Sequence, residues 1–270
     1  MITRGIQIAA SGMQSLLDMN DTIAHNLANV NTAGFKKSTL TFKNIYDARI
    51  EQASVNSDAK NQDYRYVGNI SMGSATNSSI ISFSQGTLDR TGNAMDLAIA
   101  GDGFFKIQDA DGNISYTRNG QFTINNKNQL VTLDGDFVLD NKGRKIDINM
   151  NQYQAEPKDL KFREKGEISI DNLKNQVTLQ TLAIVDFGDK ENMKSLGNAK
   201  FVPVDKTTNP ELPVKKFNIQ QGAIELSNSN TITEMINSIN VSRNYETLSK
   251  LVKEDSTLLD AAINLGRVRL

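Results

Sequence analysis

The chain has no cysteine and no tryptophan, and only one histidine and four prolines, in 270 residues. Without cysteine there is no thiol nucleophile, no disulfide and no thiolate metal site. The redox compartment stays open, because such a chain suits an oxidising exterior as well as a cytosol. A surplus of either charge is also missing: 30 Lys and Arg stand against 31 Asp and Glu, a formal net charge of −1. Binding to nucleic acid through phosphate contacts calls for excess cations, so no nucleic-acid partner is expected. The longest apolar runs, such as Leu97-Ala98-Ile99-Ala100 and Leu182-Ala183-Ile184-Val185, are about four residues against the roughly 20 that cross a bilayer, so no membrane insertion is expected. The first residues do not read as a cleavable secretory signal, since Gln7, Ser11 and Gln14 interrupt what would be its apolar core. Hydrophobic residues make up 38% of the chain, which predicts a lean core. Eighteen glycines and four prolines are too few for a low-complexity, disordered chain.

What is present is periodicity at both ends. From Ile2 the apolar positions run Ile6, Ala9, Met13, Leu16, then the polar Asn20, then Ile23, Leu27 and Val30. Those steps alternate four and three, the heptad spacing of a supercoiled helix. Gly34 follows, where a left-handed helix stop favours a residue without a Cβ. Toward the other end, Thr231-Ile232-Thr233-Glu234 has the hydroxyl-to-carboxylate spacing of a capping box. Val241, Tyr245, Leu248, Val252, Asp255, Leu259 and Ala262 again step four and three, and Ile232, Met235, Ile236 and Ile239 form an upstream stripe slightly out of phase. Two amphipathic helices of about 30–35 residues, roughly 45–50 Å each, are predicted. Their seam residues are the candidate assembly interface.

The middle reads differently. Short alternating runs are separated by turn dipeptides: Phe104-Phe105-Lys106-Ile107 before Asp111-Gly112, Ile114-Ser115-Tyr116-Thr117 before Asn119-Gly120, and Leu130-Val131-Thr132-Leu133 before Asp134-Gly135. Such dipeptides tolerate positive φ in tight hairpins, which predicts an antiparallel β meander. The fold class is therefore α+β, with long terminal helices pairing as an α-helical coiled coil and a central all-β antiparallel domain. The expected divisions are 1–35 and 228–270 for the helical assembly domain, 36–79 for an extended linker or hairpin region whose Ser54 to Asp63 stretch lacks periodicity, and 80–227 for the β-rich domain.

Catalytic chemistry is not apparent. Gly101-Asp102-Gly103 begins like a dinucleotide fingerprint, but position 106 is Lys and a strand, not a helix, follows. Asp109-Ala110-Asp111-Gly112-Asn113 places its glycine too early for a calcium loop, and position twelve is Gly120 rather than Glu, so it reads as a hairpin turn. His25 is the single imidazole and lies off the helical seam, with nothing near it resembling a nucleophile elbow. No active site, cofactor or metal is expected.

Several stretches carry a resemblance. Asn26-Leu27-Ala28-Asn29-Val30-Asn31-Thr32-Ala33-Gly34-Phe35-Lys36 closely resembles the amino-terminal signature of flagellar rod and hook proteins. Gln85-Gly86-Thr87-Leu88, then Thr91-Gly92-Asn93-Ala94-Met95-Asp96-Leu97-Ala98-Ile99, resembles their central motif, which Gly101-Asp102-Gly103-Phe104-Phe105 and Tyr116-Thr117-Arg118-Asn119-Gly120-Gln121-Phe122 continue. Gln221-Gly222-Ala223-Ile224-Glu225-Leu226-Ser227-Asn228 and Arg243-Asn244-Tyr245-Glu246 look like the carboxyl-terminal signature. The matches keep the family's order over nearly the whole chain. Departures are Met95 where Pro is common, Ser229 where Val is usual, and a long polar insert from Tyr46 to Asn69.

The resemblance implies a structural, non-enzymatic subunit of the bacterial flagellar basal-body rod, the periplasm-spanning shaft that transmits torque from motor to hook. It implies export through the flagellar type III apparatus. The implied partners are further copies of the chain, neighbouring rod subunits, and hook-side and membrane-ring-side axial proteins. The amino terminus looks like distal-rod subunits, whereas Leu265-Gly266-Arg267-Val268-Arg269 looks more like a proximal-rod subunit. The lean is to proximal rod, with a distal-rod or hook-type axial subunit as the alternative and a secreted β-domain adhesin or enzyme as a distant one. The helical ends are expected to gain most of their order among neighbouring subunits, as segments that fold on binding do.

Overall fold

A computed structural model of the chain describes residues 2–44, 47–53, 64–71, 73–148, 159–172, 175–214 and 216–267. Two helices bracket a series of strands: α1, Ile2–Ala28, and α2, Thr231–Arg267. The strands pair antiparallel, as the turn dipeptides predict. The chain divides into two compact units, one made of 1–25, 39–80 and 232–270, the other of 26–38 and 81–231.

In the helical unit, α1 spans 27 residues and α2 spans 37. The expected run of α1 through Val30 is corrected: the helix ends at Ala28, and turns with Val30 N–H on the Leu27 carbonyl and Thr32 N–H on that of Asn29 take the chain onward. The two helices approach each other at three points. Ser238 Oγ donates to Asn20 Oδ1 at 3.2 Å, a Cβ on Gly12 would lie 3.4 Å from Leu248 Cδ1, and one on Gly5 would lie 3.1 Å from Asp255 Oδ2. These contacts descend one helix as they ascend the other, so α1 and α2 run antiparallel. Residues 36–79 hold strands: Ser38–Asn44 pairs with Ser74–Ile81, and Asp47–Ala53 with Tyr64–Ser71. The aperiodic stretch Ser54 to Asp63 lies outside the described residues, as do Tyr46, Val268 and Arg269.

The β unit is built around a nine-stranded antiparallel sheet. Phe104–Gln108 lies at its middle, between Ile114–Thr117 and Phe137–Val138, with Ile184–Phe187 joining the same strand. This order departs from a plain meander. Both faces of that strand are covered, because successive side chains point to opposite faces. Phe105 and Ile107 join a core with Leu97, Ile99, Leu130, Ile146 and Ile168, whereas Phe104 joins Tyr116, Phe187, Met193 and Phe201 on the other side. Rings meet edge to face, Phe105 on Phe122 at 5.1 Å and Tyr116 on Phe187 at 4.8 Å, a geometry the ring quadrupole favours. One sheet edge is Met193–Gly197, which carries a register shift between Ser195 and Gly197 and exposes Lys194.

Asp111-Gly112 and Asp134-Gly135 make the expected hairpins, with φ of +93° and +91° at the glycines. The expected hairpin at Asn119-Gly120 is corrected, because Ile114–Thr117 does not pair with Phe122–Ile124. Gly120 serves a close approach instead: its carbonyl accepts from Leu97 N–H at 3.0 Å, and a Cβ there would overlap the Leu97 carbonyl oxygen. Replacing Gly120 by Ala is predicted to destabilise the chain by about 2–3 kcal/mol, the upper part of the range for overpacking. A denaturant midpoint equal to that of the parent chain would contradict this.

Candidate functional site

The signature stretches converge on one buried carboxylate. Glu225 ends the strand Ala223–Glu225, which pairs with Leu88–Arg90. Its Oε1 receives Lys36 Nζ at 2.5 Å and Gly86 N–H at 2.9 Å, and its Oε2 receives Arg118 Nη1 at 3.3 Å. Its carbonyl accepts Gly34 N–H at 2.7 Å. Both the Lys36 and Glu225 side chains are 0% exposed. Lys36 spends a second donor on the Ser84 carbonyl, and Arg118 one on that of Gly101 while stacking over Phe104. Burial lowers the pKa of both cations from their ordinary values, and the Glu225 carboxylate acts in the opposite direction on each. A buried charge persists only when paired and hydrogen-bonded, so three separate segments are held at fixed positions around this carboxylate.

The remaining signature residues complete the same frame. Asn26 closes the loop after α1, donating to the Ser38 carbonyl at 2.9 Å and accepting Ser38 N–H at 3.0 Å. Gly34 adopts φ +70°, and a Cβ on it would strike the Asn119 backbone nitrogen. Phe35 is buried, Asn29 and Thr32 are half-buried and joined side chain to side chain, Leu27 is half-buried, and Ala28 is exposed. Asn228 Oδ1 accepts Lys37 N–H at 2.8 Å while its amide donates to the Ser82 carbonyl at 2.7 Å. Thr91 and Asn93 both donate to the buried Asp96 carboxylate, at 2.6 and 3.0 Å, which shapes the turn through Gly92. Gly86 lies where a Cβ would overlap the Leu226 carbonyl, with Leu88 half-buried nearby in the chain. Gly101 and Gly103, with φ of +109° and +116°, redirect the chain into Phe104 and Phe105, both fully buried. Arg118, Glu225 and Asn228 were not singled out from sequence, although all three stand inside the quoted signatures.

The seam positions lie elsewhere, on the helices. On α1, Ile23 is buried and Ile6, Met13, Leu16 and Asn20 are half-buried. Val30 is half-buried beyond the helix end. On α2, Val241 is buried and Leu248, Val252 and Leu259 are half-buried, while Tyr245 and Ala262 are exposed. The stripe Ile232, Met235, Ile236 and Ile239 is corrected: it is not slightly out of phase with the seam but on the far side of the helix. At about 100° per residue, Ile232 sits roughly 180° from Val241, and it is 70% exposed.

Comparison with known sequences gives the context for both regions. Residues 6–36 match the family described as "Flagella basal body rod protein", residues 98–170 the "Flagellar hook protein FlgE/F/G D1 domain", and residues 220–265 the "Flagellar basal body rod FlgEFG protein C-terminal". The flagellar basal-body rod protein FlgG of Borreliella burgdorferi is 31% identical over 271 residues, covering 98% of this chain and 99% of that protein. This chain belongs to the flagellar basal-body rod proteins. FlgG of Buchnera aphidicola is 30% identical over 260 residues, covering 93% of this chain and 95% of its own, and FlgF of Mesorhizobium japonicum is 29% identical over 258, covering 96% and 95%. The chain is thus a structural subunit of the rod and resides in the flagellar basal body. In this rod protein the amino-terminal signature, the central motif and the carboxyl-terminal signature share one task, since Lys36, Gly86 and Glu225 come one from each.

Two consequences are measurable. Glu225→Ala leaves two buried cations uncompensated and is predicted to cost about 3–5 kcal/mol, as breaking a buried ion pair does. Lys36→Met leaves Arg118 and Gly86 on the carboxylate and costs less; urea unfolding that reverses this ranking would contradict the arrangement. Lys36 also sets a pH dependence. Its folded value lies below the ordinary 10.5, so between the two the unfolded chain binds more protons and stability rises with pH. Lys36→Met should flatten that stretch of the stability profile, read as the unfolding midpoint against pH.

Proposed function

We propose that this rod subunit polymerises through its terminal segments, 1–35 and 228–270, and that the shaft so formed transmits torque from motor to hook without turnover. Residues 36–79 form a hairpin region and 80–227 a β domain that stays folded by itself. The observation that carries this reading is the apolar surface left uncovered on the helical unit: Ile232, Met235, Ile236 and Ile239 on α2 are each at least half exposed, and Leu17 on α1 is 44% exposed. Contiguous exposed apolar faces of this kind mark sites of association. The antiparallel approaches at Asn20–Ser238, Gly12–Leu248 and Gly5–Asp255 support pairing of α1 with α2 as a coiled coil within one copy. The seam positions Ile6, Met13, Leu16, Asn20 and Ile23 on α1 and Val241, Leu248, Val252 and Leu259 on α2, all buried or half-buried, form that pairing, and the outer faces, with the exposed Tyr245 and Ala262, meet neighbours.

Packing of unlike patches with a rotation that does not close builds a helical filament. The neighbours are copies of this chain and other rod subunits, with hook-side and membrane-ring-side axial proteins at the ends, and the subunit reaches them through the flagellar type III export apparatus. The position is the proximal rod, on the likeness of Leu265 to Arg269; a distal-rod or hook-type place is the alternative, separable by mapping a tagged subunit along purified basal bodies. Deleting Val241 to Leu270 is predicted to abolish rod assembly while leaving the β domain folded by circular dichroism. Rods of normal length in that mutant would refute the proposal.

A further inference from the structure

The surface that joins one copy to the next can be named more closely, resting on the assembly reading above. Between α1 and α2 lies an open groove of about 500 Å³ whose walls include Ile8, Leu248, Leu251 and Val252. A second hollow, of about 440 Å³, continues it and shares Gly12, Ser74 and Leu248. Among the described residues Asp255 is the single charged side chain on the larger hollow, and no cation among them pairs with it. A lone carboxylate at the end of an apolar groove selects an occupant that is apolar along its body and cationic at one end.

The outer face of α2 has that pattern. Ile232, Met235, Ile236 and Ile239 are 70%, 50%, 52% and 52% exposed. Arg243 follows one turn later on the same face, exposed and with no carboxylate partner among the described residues. The apolar run from Ile232 to Ile239 is about 10 Å long, and the groove from Leu248 to Asp255 spans the same length. Arg243 and Asp255 cannot meet within one copy, because about 18 Å of helix axis separates them and they lie roughly 120° apart around it.

We propose that the Ile232 to Arg243 face of one copy seats in the α1–α2 groove of a second copy, with the neighbouring copy's Arg243 on Asp255. Stripe and groove are different surfaces, so the contact is heterologous and propagates instead of closing into a pair. Charge complementarity fixes the direction and register of docking, and wrong registers leave both charges unpaired.

Charge exchange tests this in cells that express the full chain. Arg243→Asp and Asp255→Arg, each alone, should lower the number of rod-bearing basal bodies at least tenfold, and the double exchange should restore it. Single changes without effect, or a double exchange that stays defective, would overturn the proposal. The absence of cysteine provides an independent readout. In isolated basal bodies, the pair Arg243→Cys and Asp255→Cys should crosslink into dimers and longer ladders that neither single cysteine gives; monomers alone from complete rods would also overturn it. Ile236→Asp separates the two readings. If it abolishes rods while charge exchange fails to rescue, helix-mediated assembly stands and this docking partner falls; if rods persist with Ile236→Asp, the assembly reading itself fails.

Discussion

One carboxylate, removed from water, holds the β unit's separate segments in register. Glu225 cannot stay ionised there unless cations and N–H groups surround it, and the chain supplies them from three distant places: the loop after α1, the loop before Leu88 and the end of the strand Ile114–Thr117. Each donor segment is then constrained in turn. The Lys36 segment is held by Asn26 and Asn228, the Gly86 segment leaves no room for a Cβ beside the Leu226 carbonyl, and Arg118 leans on Phe104 from one of the two cores. Removing the anion would therefore release loops at positions far apart in the chain.

The helical unit follows the opposite logic. The β unit buries its charges and fills both faces of its central strand; α2 carries apolar residues on two faces and covers one of them. A helix that satisfies its seam while leaving a second apolar face to solvent is poorly matched to life as a single molecule. In the assembly proposed above, neighbouring subunits provide the helices that cover that face. Rigidity of the β unit and incompleteness of the helical unit are complementary properties in a shaft.

Much of this organisation is legible in the order of residues, and the exceptions have physical causes. Heptad steps mark α1 and α2 because a helical face repeats every few residues, and Asp-Gly pairs mark hairpins because their backbone accepts positive φ. Asn119-Gly120 looks the same locally yet serves a tertiary need, the approach of the Leu97 carbonyl, which no neighbouring residue announces. Val30 continues the heptad rhythm past the helix end, because Asn26 turns its side chain onto the Ser38 backbone and the chain leaves the helix with it. Glu225 is the hardest to foresee: its partners Lys36 and Arg118 lie 189 and 107 positions away. The signatures quoted from the sequence contain all three residues but say nothing of their meeting.

The edge strand Met193–Gly197 has a consequence for life in a crowd. A sheet edge offers unpaired backbone groups to any similar edge, and assembly with other basal-body components raises the chance that such edges meet. The register shift at Ser195 and Gly197 and the outward Lys194 make this rim a poor template for strand addition. Lateral zippering of sheets, which would end in fibrous tangles, is thereby discouraged.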